Sequence, residues 1–372
     1  MNTNRESLLL QPFRLGEENL LNRLVMAPLT RARAENSGLV ATALHAEYYA
    51  QRAGADGAGL IITEGTWVSP QAVGWADVPG IYSREQVEGW RLVTEAVHAK
   101  GAKVFAQLWH TGSASHPDFF EGTPPLAPSA VNPRLKSPTA AGRKDTVQPA
   151  AMSKAQIRQT VSDFKTAAQN AIAAGFDGVQ IQAGYVYLFN QFLTPATNYR
   201  DDEYGGSVEN RARFLFEVLD AVSEAIGARR VGVKTGPITG EFGKFVSTDQ
   251  TLATSDYVIN RLNECDFHHL LLMSAMSDLT DTPVSPLQGN GIYEHYRRIY
   301  KGTVIANVGF DWERAHAVVR DNLADMVAFG RPFIANPDLT KRFRNGHPIE
   351  ASNPAMHYGG GEVGYTDYPR HA

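Results

Sequence analysis

Short apolar runs alternate along this chain with longer segments in which apolar side chains recur at helical spacing. Such alternation is typical of parallel βαβ units, because each buried strand is followed by a helix that returns the chain. Eight such runs occur, at residues 24–28, 59–65, 103–109, 178–182, 230–236, 268–273, 303–309 and 326–330. Eight strands predict an α/β fold, a closed (β/α)8 TIM barrel that forms a single domain over residues 1–372. An open doubly wound sheet usually has fewer strands.

Three helical segments have clear limits in the sequence. Their apolar positions share one face: Ile157, Val161, Phe164, Ala168 and Ile172 in the first, Val208, Ala212, Leu215, Leu219, Val222 and Ile226 in the second, and Val87, Trp90, Val93 and Val97 in the third. Gly175, Gly227 and Gly101 are expected to end them, since glycine readily adopts the left-handed conformation that follows a helix. Ser207 is expected to cap the second helix at its start.

Two long loops interrupt the repeat, a proline-rich one at residues 111–150 and one rich in Gly, Pro, Ser and Asp at 275–292. Both leave the carboxyl ends of strands, the face of a barrel on which active sites are built. We therefore predict extended loops at this C-terminal face that act as walls or lids of a pocket. The alternative is that they are surface loops without function.

Composition excludes several classes of protein. The chain has 372 residues, of which 43% are hydrophobic and 20% charged, with a net charge of −4, and this excludes disorder, collagen and coiled coil. The slight acidity gives no electrostatic reason to expect nucleic acid or an anionic membrane as a partner, so a small molecule is the expected ligand.

Cysteine usage and apolar run length bear on the compartment and on metal binding. Cys265 is the only cysteine, so neither an intramolecular disulfide nor a multi-cysteine zinc site can form, and we expect no metal. The first residues lack a signal-peptide core, and no apolar stretch reaches 18 residues. The sequence predicts a cytoplasmic protein.

Polar residues lie within three of the apolar runs, near their carboxyl ends: Gln107, the pair Gln180 and Gln182, and Lys234. Buried polar groups require hydrogen-bonding partners. Lys234 is the most informative, because a buried ammonium is costly unless an anion lies beside it. It either pairs with a carboxylate on a neighbouring strand or faces a ligand.

The ends of runs seven and eight read Asn307-Val308-Gly309 and Phe329-Gly330-Arg331, with residues 336–338 then opening a short helix. In TIM barrels these loops often bind phosphate, and glycine lets backbone N–H groups approach an anion while arginine offers two donors. Ordinary turn chemistry is the alternative. A phosphate site together with amides and a lysine suggests a phosphorylated heterocycle such as flavin mononucleotide (FMN), but the residues alone do not choose flavin over another phosphorylated ligand.

Six segments match a known family: NRLVMAPLTR at 22–31, ITEG at 62–65, QLWHTG at 107–112, DEYGGSVENR at 202–211, AFGR at 328–331 and GYTDYP at 364–369. Over nearly its whole length the chain resembles the old yellow enzyme family of FMN-dependent ene-reductases. The resemblance implies a single FMN-binding TIM-barrel domain and NAD(P)H as the reductant.

The resemblance also implies site residues. Those that would bind the cofactor are Pro28, Leu29, Thr30, Gly65, Gln107, Lys234, Gly309, Gly330 and Arg331. The last three would hold the phosphate, and Lys234 stands where the family usually has an arginine, which keeps the charge but loses the forked geometry. Trp109 and Tyr358 would line the substrate side.

The chain departs from the family after the fourth strand. Family members usually carry there a His, then His or Asn three residues later, then a Tyr two residues beyond. This chain has Gln182, Tyr185 and Tyr187. Gln182 and Tyr185 would bind the substrate carbonyl as neutral donors, and Tyr187 would donate the proton. Ser113 also stands where the family often has arginine.

The resemblance therefore implies reduction of the C=C bond of an α,β-unsaturated carbonyl compound, with hydride from flavin N5 and a proton from Tyr187. Because the usual pair is replaced, desaturation or double-bond isomerisation of a specialised substrate is the alternative. A Schiff-base aldolase using Lys234, and a flavin-binding protein without turnover, are further alternatives. The sequence decides neither NADH against NADPH nor monomer against homodimer.

Overall fold

The computed structural model describes residues 7–237 and 241–371, and in it eight parallel strands close into a barrel. Each strand pairs with the next along the chain, and the last pairs with the first. The strands are β1 (Leu24–Met26), β2 (Leu60–Trp67), β3 (Lys103–Trp109), β4 (Gly178–Gln182), β5 (Val231–Thr235), β6 (His269–Met273), β7 (Val304–Asn307) and β8 (Met326–Phe329). The predicted (β/α)8 barrel is confirmed, and each predicted strand is found within two residues of its expected ends.

A helix follows every strand, and the helices surround the barrel. They are α1 (Ala43–Arg52), α2 (Arg84–His98), α3 (Lys154–Ala173), α4 (Val208–Ile226), α5 (Asp249–Arg261), α6 (Gly291–Ile299), α7 (Trp312–Arg320) and α8 (Leu339–Asn345). The Ser207 hydroxyl accepts a hydrogen bond from the Asn210 N–H, and Gly227 follows α4 at a φ of +88°, both as expected.

The predicted end of α2 at Gly101 is wrong by three residues. The helix ends at His98, where the Ala99 N–H donates to the carbonyls of Glu95 and Val97. Gly101 lies in the turn beyond, with a φ of +77°. The left-handed residue thus marks the turn into β3 rather than the last helical residue.

The inward-facing side chains of the barrel are apolar at its amino end and polar toward its carboxyl end. Alternate residues of each strand face inward, and at the amino end they form an apolar cluster that includes Val25, Ile62 and Phe105. A hairpin of Phe13–Leu15 and Glu18–Leu20 adds Leu15 and Leu20 to this cluster and covers that end. Toward the carboxyl end, the buried inward-facing residues of β3, β4 and β5 are polar: Gln107, Gln180, Gln182 and Lys234.

Both predicted loops contain regular structure. Residues 111–150 include a hairpin of Lys136–Thr139 and Gly142–Asp145, here called the rim hairpin, whose Ser137 hydroxyl donates to the Gly74 carbonyl. The other loop contains a single turn of 3-10 helix, and α6 begins at Gly291 rather than after residue 292. A further hairpin, Glu241–Phe242 with Phe245–Val246, follows β5 and was not predicted.

The C-terminal segment, residues 354–369, is held against the barrel by buried arginines. Arg31 donates to the carbonyls of His357 and Gly364, and the Tyr365 ring stacks on Tyr48 at 3.8 Å. Arg52 donates to the carbonyls of two residues in the helix Arg331–Ala335 and to that of Tyr365. The GYTDYP segment therefore has a structural role, which is to fix the chain that carries Tyr358.

Within the described residues, no helix is both long enough and apolar enough to cross a membrane.

Arg52→Met tests this anchoring. Arg52 is fully buried, and its loss leaves three buried carbonyls without donors. We therefore expect the free energy of unfolding to fall by roughly 3 kcal/mol or more. Arg320→Met, which removes an exposed pair with Asp321, is the control and is expected to leave the thermal midpoint unchanged. Equal midpoints for the two variants would show that Arg52 does not anchor the segment.

Candidate active site

Two adjoining cavities open at the carboxyl end of the barrel, and they share Pro28, Lys234 and Met276. The first, of about 520 Å³, is called here the aromatic cavity. The aromatic residues that line it are Trp75, Trp109, Tyr185, Tyr187 and Tyr358. The second, of about 560 Å³, is called the glycine cavity and is lined by the ends of β7 and β8, including Gly309 and Gly330. Lys234 faces both.

The structure brings nearly all of the predicted site residues together. The aromatic cavity is lined by Pro28, Thr30, Gln107, Trp109, Gln182, Tyr185, Tyr187, Lys234 and Tyr358, and the glycine cavity by Leu29, Gly309, Gly330 and Arg331. Gly65 lines neither cavity. It lies beside Gln107 in the sheet, and a Cβ at this position would overlap the Trp109 indole, so its contact with a ligand stays a prediction.

The glycine cavity fits an anion. Gly309 has a φ of +72°, which turns the backbone after β7, and a Cβ at Gly330 would lie 3.3 Å from the Leu29 side chain. Arg331 is exposed, and its guanidinium makes no hydrogen bond or ion pair to any described residue. Backbone N–H groups at a glycine-lined turn together with a free guanidinium are the donors that phosphate oxygens require.

Lys234 is nearly buried, at 8% exposure, and within the described chain no carboxylate pairs with it. The alternative that it pairs with a carboxylate on a neighbouring strand is therefore wrong. The inward-facing residue beside it on β4 is Gln182 and the one on β6 is Leu271, neither of which carries a charge. Burial lowers the pKa of Lys234 to about 8. Such an ammonium is stabilised when an electron-rich group binds beside it.

Two amides approach the same space from β3 and β4. Gln107 donates to Gln180 at 2.7 Å, and this bond leaves its carbonyl oxygen unbonded among the described residues. The Gln182 Oε1 and the Trp109 Nε1 are buried with no hydrogen-bonding partner in the protein. A buried polar atom without a partner is costly, so these groups indicate a polar ligand.

The tyrosines follow β4 in a short strained turn. Tyr185 has a φ of +60°, unusual for a residue with a side chain, and its carbonyl accepts from the Asn190 side-chain amide. Its ring packs on Phe242, which gives the hairpin after β5 a direct contact with the site. Tyr187 precedes the helix Leu188–Leu193 and meets Trp109 edge to face at 4.8 Å.

Burial raises the pKa of both Tyr185 and Tyr187 above the ordinary value. Both hydroxyls therefore carry their protons at neutral pH and can donate them. Tyr187 packs against the hydrophobic core and also lines the aromatic cavity, so its role as a proton donor stays a prediction.

Sequence reasoning missed several lining residues. Lys136 and Arg143 come from the rim hairpin and Met276 from the second loop, so both long loops form cavity walls as predicted. Met273 could have been found, because it is the inward-facing residue at the carboxyl end of β6. Trp75 lies in an irregular segment and carries no local signal.

Comparison with known proteins agrees with this arrangement. Residues 8–350 match the sequence model of the NADH:flavin oxidoreductase / NADH oxidase family. The chain belongs to this family. It is 40% identical to a probable flavin mononucleotide-dependent alkene reductase of Leishmania infantum, over 97% of each chain. It is also 40% identical to the putative 12-oxophytodienoate reductase 2 of Oryza sativa subsp. japonica, over 97% of this chain and 93% of the relative.

Solved structures of the old yellow enzyme type share the fold throughout. Morphinone reductase in complex with tetrahydroNAD superposes with a TM-score of 0.89 at 42% identity, covering 98% of both chains. The old yellow enzyme homologue of Zymomonas mobilis gives 0.90 at 38% identity, over 97% of this chain and 99% of that one. Membership in a flavin oxidoreductase family excludes the aldolase interpretation of Lys234.

The family's cofactor, FMN, fits the residues present. The glycine cavity offers donors for a phosphate, and Lys234 offers a positive charge between the two cavities. The free Gln107 amide oxygen matches a ring edge that carries an N–H donor.

Lys234→Met tests the charge between the cavities. Because the folded pKa of about 8 lies below the unfolded 10.5, the charged lysine destabilises the cofactor-free chain at pH 7 by about 3 kcal/mol. We expect the variant without FMN to unfold at a higher temperature than wild type at pH 7. This difference in unfolding temperature between variant and wild type should shrink as the pH rises from 8 to 10.5, because the unfolded chain binds more protons than the folded one in that range. FMN should bind about tenfold more weakly.

Thermal unfolding of the cofactor-free protein and fluorescence titration with FMN measure the two effects. Lys100→Met, at an exposed lysine beyond α2, is the matched control and should change neither. Undiminished FMN affinity in Lys234→Met would rule out a role for this ammonium in binding the cofactor.

Proposed function

We propose that this protein is an FMN-dependent ene-reductase that uses NAD(P)H to reduce the C=C bond of α,β-unsaturated carbonyl compounds. One observation carries the proposal: Gln182, Tyr185 and Tyr187 line one cavity, and Lys234 and Gln107 line it too. Hydrogen-bond donors for a substrate carbonyl, a proton donor and groups suited to the cofactor thus lie around one cavity. The relatives named for a reaction are reductases, which supports reduction over desaturation or isomerisation.

The residues that would hold FMN are Pro28, Leu29, Thr30, Gly65, Gln107, Lys234, Gly309, Gly330 and Arg331. The last three would bind the phosphate, Lys234 would stabilise negative charge on the reduced ring, and Gln107 would bind the pyrimidine edge. When bound, FMN supplies the redox chemistry, the transfer of a hydride from NAD(P)H to the β carbon of the alkene in two half-reactions.

Gln182 and Tyr185 would bind the substrate carbonyl. The Gln182 NH2 group and the Tyr185 hydroxyl are neutral donors, and both stabilise the enolate oxygen that develops as the β carbon is reduced. Neutral donors stabilise this charge less than cationic ones, so the site requires an alkene that is already strongly activated. Trp109 on β3 and Tyr358 on the C-terminal segment both line the aromatic cavity, and both would contact the substrate.

Tyr187 would donate the proton to the α carbon. Its raised pKa keeps the phenol protonated throughout the physiological range, and its edge-to-face contact with Trp109 limits the positions that the ring can take. Solvent restores the proton afterwards. A cytoplasmic location stays a prediction from the sequence, which decides neither NADH against NADPH nor monomer against homodimer.

Tyr187→Phe separates the half-reactions. We expect reoxidation of the reduced flavin by 2-cyclohexenone to slow by roughly 100-fold, because the proton donor is lost, while reduction by NADPH is spared. Stopped-flow absorbance of the flavin band under anaerobic conditions measures both steps. Tyr199→Phe, which changes an exposed tyrosine that lines neither cavity, should match wild type.

Three outcomes would contradict these assignments. Equal slowing of both half-reactions would remove Tyr187 from the role of proton donor. Wild-type flavin that stays reduced in the presence of the enone would contradict the proposed reaction. Purified protein without a flavin band, and without binding of added FMN, would contradict the cofactor assignment.

A further inference from the structure

A row of four buried side chains connects the cavity to the barrel interior, and it is called here the polar row: Gln107, Gln180, His269 and His268. Gln107 donates to Gln180 at 2.7 Å, and the Gln180 Nε2 lies 2.8 Å from the His269 Nε2. The Nδ1 atoms of the two histidines are 2.8 Å apart. Gln180 and His269 are both fully buried. No step of the proposed reaction uses the last three residues.

The bonds of the polar row all point in one direction. Because the Gln180 oxygen accepts from Gln107, its NH2 group faces His269 and must donate to the His269 Nε2. His269 therefore carries its proton on Nδ1 and donates it to the His268 Nδ1. Burial lowers the pKa of His268 to about 4 and that of His269 well below its usual value, so both rings are neutral and can accept.

The surrounding strands leave space for this arrangement. Gly232 is paired with His269 across β5 and β6, and a Cβ at Gly232 would overlap the imidazole ring. The Phe105 ring packs against both imidazoles, with centroids 4.4 and 5.6 Å away. Neither imidazole can therefore turn freely, and the Gln180 amide beside them has one partner at each end.

We propose that Gln180, with His269 and His268 behind it, is a positioning residue that fixes which end of the Gln107 amide faces the cofactor. Its oxygen holds the Gln107 NH2 group on the interior side, so the Gln107 carbonyl oxygen is presented to the cavity as an acceptor. This inference rests on the proposed function, in which Gln107 binds the pyrimidine edge of FMN. That edge carries one N–H between two carbonyls, so a reversed amide would place a donor against a donor.

Two substitutions at one position separate positioning from packing. Gln180→Leu removes the acceptor, so the Gln107 amide is free to turn, and FMN should dissociate about tenfold more readily. Gln180→Glu keeps an oxygen beside the Gln107 NH2 group, and His269 can shift its proton to Nε2 to donate to the other oxygen. We expect the Glu variant to bind FMN within about twofold of wild type, although a buried carboxylate lowers its thermal stability.

A double-mutant cycle with Gln107→Leu isolates the coupling. If Gln180 acts through Gln107, Gln180→Leu adds less than about twofold to the FMN dissociation constant once Gln107 is leucine. Release of fluorescent FMN on dilution of the holoprotein gives the constants, and thermal unfolding is measured beside them. Thr94→Val, a buried substitution on α2 away from the barrel interior, is the control that lowers stability without changing FMN release.

The outcomes distinguish this inference from the proposed function. Wild-type protein that holds no FMN overturns both. Tight wild-type binding with additive effects of the two leucine substitutions overturns the positioning role and leaves the function standing, and so does a Glu variant that loses FMN as readily as the Leu variant.

Discussion

A closed barrel with polar side chains inside its carboxyl half must satisfy those groups, and this constraint governs the rest of the structure. Strand alternation points Gln107, Gln180 and Lys234 inward, where each buried polar group needs a hydrogen-bonding partner. Gln180 is satisfied within the protein by Gln107 and His269. Lys234 and the outer amide oxygens have no such partner among the described residues, and they line cavities in which a polar ligand can bind. The groups available to bind a cofactor or a substrate are therefore the ones that the folded chain leaves without hydrogen-bonding partners.

The buried arginines serve a different purpose from the buried lysine. Arg31 and Arg52 donate mainly to backbone carbonyls. The buried Glu64 carboxylate nearby accepts from the backbone N–H groups of Arg31 and Ala32. Their positive charge is thus used to fasten irregular segments to the barrel. The segment that carries Tyr358 and the helix that begins at Arg331 are both held in this way, which fixes two walls of the cavities.

Gln182 and Tyr185, the pair that departs from the family pattern after β4, both line the aromatic cavity. Tyr185 keeps a left-handed backbone and packs on Phe242, so the turn that presents Tyr187 is supported from a second loop. A neutral amide and a phenol take the place of donors that can carry charge. In the proposed reaction, stabilisation of an enolate oxygen would depend on geometry and desolvation rather than on a cation, and this would favour substrates whose carbonyl needs little further polarisation.

The sequence by itself determined the barrel, because eight buried strands and the ends of most helices are encoded in local periodicity and capping residues. It also singled out Gln107, Gln182 and Lys234, which line the aromatic cavity, because buried polar residues inside apolar strands need partners. Only the tertiary structure decided that Lys234 has no carboxylate partner in the described part of the chain and that Gly65 lies against the Trp109 indole. It alone showed that the rim hairpin and Trp75 line the aromatic cavity. The directed hydrogen bonds of the polar row likewise join strands far apart in sequence, and no local pattern records which side chains meet across a closed barrel.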